Sequence, residues 1–178
     1  MKIQKIFYIN LDSSKDRKDW ITSQYYNTKT KGSELPPLQR VSAIYPKKED
    51  VSTGGKYSHL IEKYSDIFQK LYGTDTPHSL ATLGCYLSHK KIYELISQEK
   101  PGYYISLEDD ITLKPNWYIN LQKKLLEVDF DFDIIRQQWH SGFDKFQKCK
   151  KMNIYSKWAK PWNCNEISGG THFTVINS

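Results

Sequence analysis

Apolar and polar positions along the chain switch repeatedly between a strand-like and a helix-like period. Near the N-terminus, Lys5 to Leu11 (KIFYINL) is a short run rich in β-branched and aromatic residues, which predicts a strand. Asp12, Ser13 and Ser14 then offer turn or N-cap groups before a polar helical stretch, Lys15 to Tyr26. Lys29 to Pro37 reads as a loop, Leu38 to Ala43 as a second short strand, and Pro46 to Gly55 as another loop. The clearest helix is Tyr57 to Leu71, where Leu60, Ile61, Tyr64, Ile67, Phe68 and Leu71 form one stripe and Gly73 stands as a C-cap. A second helix is expected from Ser79 to Gln98, ended by Pro101-Gly102. Tyr103 to Leu107 (YYISL) predicts a buried strand, Trp117 to Leu126 a helix, and Asp133 to Gln137 a further strand. Phe143 to Asn165 is irregular, and Gly169-Gly170 precede a strand-like His172 to Ile176. Strands alternating with helices imply an α/β sheet with parallel pairs, flanked by helices.

The length of 178 residues fits one domain, 1–178, on a prior of about 150 residues per domain. At 14% aromatic the chain is too rich in core formers for disorder, and a mean hydropathy of −0.68 is too polar for an integral membrane protein. The N-terminal apolar run is too short and too charged for a signal peptide, so the protein is expected to stay in the cytoplasm. Cys85, Cys149 and Cys164 form no C-x-x-C pair and the chain has no N-x-[ST] sequon, which predicts reduced, inert, buried or half-buried thiols. A net charge of +6 favours anionic partners. Only Arg17, Arg40 and Arg136 are arginines, which speaks against sequence-specific reading of DNA.

Glu108-Asp109-Asp110 changes the picture most, because it follows directly on an apolar strand, at the edge where open α/β sheets hold ligands. Adjacent carboxylates repel unless they share a cation. Mg²⁺ and Mn²⁺ accept oxygen from one or two carboxylates and leave positions for substrate phosphates. The triplet therefore fits a metal–diphosphate site, or else a solvated turn.

Four motifs in order, Tyr8-Ile9-Asn10-Leu11-Asp12 with Arg17, Leu83-Gly84-Cys85, Leu87-Ser88-His89, and Ser106-Leu107-Glu108-Asp109-Asp110, resemble glycosyltransferase family 25. These are the lipopolysaccharide and lipooligosaccharide sugar transferases, similar also to the collagen galactosyltransferases. Arg40-Val41-Ser42-Ala43, Phe132-Asp133-Ile134-Ile135-Arg136 and the glycine-led last strand extend the resemblance to about residue 176. It implies a GT-A-like, Rossmann-type mixed sheet and transfer of a hexose, galactose foremost, from a UDP-sugar to a lipooligosaccharide or lipopolysaccharide acceptor. It implies Asp110 and Glu108 as ligands of Mn²⁺ or Mg²⁺ in a D-x-D-like motif, with Glu108 alternatively at the ribose. Asn10, Asp12 and Arg17 would lie near uracil and ribose. For Asp12 and Arg17 the alternative is a helix N-cap and a solvent-exposed arginine.

Ser88 and His89 either bind donor groups or satisfy a neighbouring strand. Trp139 and His140 either stack on an acceptor sugar or pack, and Gly170 and Thr171 either admit a sugar close to the backbone or form a turn. Asp109 and Glu166 are the candidates for a base that deprotonates the acceptor hydroxyl. The lysine-rich stretch from Lys145 to Lys160 suits a phosphorylated glycolipid or an anionic membrane face, or is a solvated loop. Gly54-Gly55-Lys56-Tyr57 lacks the residues of a P-loop, and the histidines and cysteines show no zinc spacing. Relatives continue beyond a strand like the one before Ser178, so a C-terminal part of the domain is expected to be missing. The alternative function is accordingly a non-catalytic remnant, or a module that binds a sugar nucleotide or glycan.

Overall fold

Ile6, Phe7, Tyr8 and Ile9 are consecutive apolar residues, so the strand they form has to be covered on both faces. In the computed structural model of the chain, which describes residues 1–28, 34–61, 80–128, 132–136 and 173–178, they lie in β1 (Ile3–Asn10). Four further strands among the described residues are β2 (Leu38–Ser42), β3 (Tyr103–Glu108), β4 (Ile134–Arg136) and β5 (Phe173–Asn177). The described residues form one mixed sheet in the order β2-β1-β3-β5-β4. β1 pairs in parallel with β2 and with β3, whereas β5 runs antiparallel to both β3 and β4.

Helices cover both faces, as the expectation of an α/β fold requires. Among the described residues they are α1 (Lys15–Asn27), the single turn α2 (Lys48–Val51), α3 (Leu80–Ile96) and α4 (Trp117–Leu126). Strand side chains alternate between the two layers. Ile6, Tyr8, Ile105 and Leu107 pack with Ile21 and Tyr25 of α1 and with Leu121 and Leu125 of α4. Phe7, Ile9, Val41 and Tyr104 pack with Ile92 and Ile96 of α3. The chain goes from β1 to β2 on one side and then places β3 on the other, so the strand order reverses at β1. A crevice between the carboxyl ends of β1 and β3 follows from that reversal, and such crevices are where open α/β sheets take ligands.

The predicted helix starts at Lys15 and Trp117 coincide with the observed ones. The Pro46 to Gly55 segment, expected as loop, contains α2. One turn closes there because the backbone N–H of Lys47 donates to the Asp50 carboxylate at 2.7 Å, while the Asp50 N–H donates to the Lys47 carbonyl at 3.1 Å. Of the predicted Tyr57 to Leu71 helix only the first turn is described, helical from 58 to 61, and Gly73 lies outside the described residues. No helix among the described residues is long and apolar enough to cross a membrane.

Candidate functional site

On the α1 face, the carboxyl end of β1 leads straight into the helix through Asp12, Ser13 and Ser14. Asn10, 1% exposed, is the hub. Its amide donates to the Ser14 carbonyl at 3.0 Å and to Asp109 Oδ2 at 2.7 Å. Its side-chain carbonyl accepts from Arg40 Nε at 2.8 Å, and its main-chain carbonyl from Arg40 Nη2 at 3.1 Å. Parallel register sets β2 beside β1, with Tyr8 opposite Arg40 and Asn10 opposite Ser42. Arg40 thereby reaches Asp12 Oδ1 at 2.5 Å, and the Ser42 hydroxyl donates to Asp12 Oδ2 at 2.8 Å. The Arg40 bond first and the Ser42 bond second hold the Asp12 carboxyl below its usual value.

β3 delivers the acids. Asp109 is buried beside Asn10, and Arg17 Nη1 of α1 stands 3.5 Å from its other oxygen. Asp110, the next residue, is exposed at the turn. Gln24 of α1 clamps the segment that follows, donating to the Ile111 carbonyl at 3.1 Å and accepting from the Leu113 N–H at 2.9 Å. The acidic turn is thus tied to α1 on both sides of Asp110.

The opposite face carries a second constellation, and the sequence around Gly84 explains how it is held. A Cβ on Gly84 would lie 2.5 Å from the Ile44 carbonyl oxygen, so only glycine lets α3 approach the segment after β2 this closely. Ser88, one turn on, accepts from the Ile44 N–H at 2.8 Å and donates to the Gly84 carbonyl at 2.6 Å. With α3 fixed there, His89 meets the end of β3: Nε2 is 3.0 Å from Glu108 Oε1, and Nδ1 is 3.4 Å from Ser106 Oγ. Cys85, one turn before His89, is exposed. Its thiol, a His89 ring nitrogen and a Glu108 oxygen all lie within 4.8 Å of one another.

Burial alone would lower the His89 imidazole, but its hydrogen bonds with Cys85 and Glu108 outweigh that and push it up to about 9. A group raised on folding contributes stability that is complete below its unfolded value, 6.5, and is lost as pH rises through the folded value. Metal-free protein is therefore expected to lose on the order of 2–3 kcal/mol between these limits in urea melts. His89→Gln should flatten that profile, and parallel wild-type and variant profiles would show the pair contributing nothing.

Seven of the residues singled out from sequence meet at this edge: Asn10, Asp12, Arg17, Ser88, His89, Glu108 and Asp109, with Asp110 at the adjoining turn. Ser88 supports α3 against Ile44. Trp139, His140, Glu166, Gly170 and Thr171, and the Lys145 to Lys160 stretch, lie outside the described residues. Sequence reasoning missed three contributors. Arg40 and Ser42 were visible only as part of a motif, since their role comes from pairing with a strand about 30 residues away. Cys85 was expected buried or half-buried and inert, yet it is exposed; its four-residue spacing from His89 was the available signal.

The family model described as glycosyltransferase family 25 (LPS biosynthesis protein) matches residues 3–165. No curated protein matches the chain.

Proposed function

The chain belongs to glycosyltransferase family 25, and on that premise we propose that it moves a hexose, galactose foremost, from a UDP-sugar to a lipooligosaccharide or lipopolysaccharide acceptor with the help of Mn²⁺ or Mg²⁺. The observation that carries this reading is the convergence of Asn10, Arg17, Arg40 and Asp109 on the crevice between β1 and β3, beside an exposed Asp110. A GT-A-type arrangement is part of the proposal, supported by the reversal of strand order at β1.

Asp110 fits a hard divalent ion, since it offers carboxylate oxygen from an exposed position at the crevice edge, whereas the Glu108 carboxylate is engaged by His89 on the opposite face. The chemistry such an ion supplies is neutralisation of charge on the departing UDP. Arg17, whose side chain is 60% exposed, is placed to bind a phosphate oxygen while Asp109 orients it. Both Asp109 oxygens are already engaged, by Asn10 and Arg17, which supports a positioning role for this residue over that of a base. Asn10 and Asp12, braced by Arg40, would form the nucleoside side of the crevice. Peripheral contact with an anionic membrane face is consistent with the net charge of +6 and with a lipid-linked acceptor.

Calorimetric titration of UDP into the purified chain tests the reading. Binding is expected with Mn²⁺ and not with EDTA, and Asp110→Ala should weaken it at least about tenfold with stability within about 0.5 kcal/mol of wild type. Absence of UDP heat from a folded sample in every condition would sink the donor site and leave a remnant or glycan-binding module in its place.

A further inference from the structure

We infer that Cys85, His89 and Glu108 form a site for a borderline-soft divalent ion of the zinc class, distinct in chemistry from the hard-ion site proposed at Asp110. A thiol, an imidazole and a carboxylate converge with their ligand atoms within 4.8 Å of one another. Sulfur, nitrogen and oxygen from three side chains make a set that suits Zn²⁺ in sites with an open fourth position and does not suit Mg²⁺, which selects oxygen alone. Two further features match what such a site needs. His89 is oriented from behind by Ser106 Oγ at Nδ1, 3.4 Å away and fully buried, which turns Nε2 towards Glu108. The backbone under the ligands is rigid, because Gly84 and Ser88 lock the turn of α3 that carries both Cys85 and His89 against Ile44. Cys85 faces solvent, so an ion can reach the site and keep water or an anionic ligand in the fourth position.

This inference does not depend on the transferase reading, because the ligands are this chain's own side chains and the test uses no nucleotide. Co²⁺, a spectroscopic stand-in for Zn²⁺, is titrated into the reduced chain. The expected result is one equivalent bound with a sulfur-to-cobalt charge-transfer band, displaced by Zn²⁺. Cys85→Ser should abolish the band and lower Zn²⁺ affinity, read by competition with a chromophoric chelator, by at least about 100-fold. Ser106→Ala, which removes only the orienting hydroxyl, should lower it about tenfold. A Cys149→Ser, Cys164→Ser double variant should keep the band, and circular dichroism checks that each variant is folded. A charge-transfer band that survives Cys85→Ser, or wild type showing none at saturating Co²⁺, overturns the inference. Neither result bears on UDP binding through Asp110, and failure of the UDP titration leaves the cobalt result standing.

Discussion

Asp109→Ala is expected to lower folding stability by about 3 kcal/mol and to remove UDP binding together with it. The size follows from what the carboxylate holds. A hydrogen bond to a charged group contributes about 1.5–3 kcal/mol, and Asp109 Oδ2 accepts one from Asn10 at 2.7 Å in a buried setting. Removing the acceptor also strands one N–H of an amide that is 1% exposed, a desolvation penalty of about 1–3 kcal/mol. The Arg17 contact adds little, because its partner is 60% exposed and 3.5 Å away, and such pairs are worth about 0–1 kcal/mol. A ranking follows that urea denaturation can read: Asp109→Ala well below wild type, Asp109→Asn between, Arg17→Ala within about 1 kcal/mol of wild type. Equal stability of Asp109→Ala and Arg17→Ala would mean that the Asn10–Asp109 bond does not organise the edge. In calorimetry both alanine variants should lose affinity for UDP, Asp109→Ala through a displaced Asn10 and Arg17, and Arg17→Ala through the missing guanidinium.

The contrast between Asn10 and Arg40 shows how far local sequence reaches into this site. Periodicity and cap chemistry were enough to find β1, the start of α1 and the strand that ends in Glu108, because each is written within a window of about ten residues. An acidic triplet directly after a buried strand was legible for the same reason. Whether Asp109 turns inward to Asn10 while Asp110 turns outward depends on the pleat of β3 and on its register with β1, which no local window contains. Arg40 belongs to the site only because β2 pairs in parallel with β1, and β5 enters the sheet antiparallel between β3 and β4 although it comes last in the chain. Cys85 escaped for a subtler reason. Its partner Glu108 sits on another element, and cysteine composition alone favours a buried thiol over an exposed one beside a histidine.

Gly84→Ala distinguishes a glycine required by packing from one that is merely tolerated. In an exposed helix interior the change would stabilise by about 1 kcal/mol, since alanine is the better helix former. Here the new Cβ would stand 2.5 Å from the Ile44 carbonyl oxygen and 3.1 Å from Pro46 Cδ, and the first of these is backbone that cannot rotate away. Overpacking of this kind costs about 1–3 kcal/mol. Any shift of α3 that relieves it also stretches the 2.8 Å bond from the Ile44 N–H to the Oγ of Ser88, a residue 1% exposed, at a further cost of about 1–3 kcal/mol. The clash and the stretched bond outweigh the propensity gain, so a net loss of about 2 kcal/mol is expected in urea melts. Ser88→Ala, which removes the bond without adding volume, should lose less than Gly84→Ala. The same displacement moves His89 and Cys85 away from Glu108, so Gly84→Ala should weaken Co²⁺ binding although it alters no ligand. A gain in stability of about 1 kcal/mol with unchanged Co²⁺ affinity would show that α3 does not press on Ile44, and that the approach of His89 to the end of β3 is fixed by other contacts.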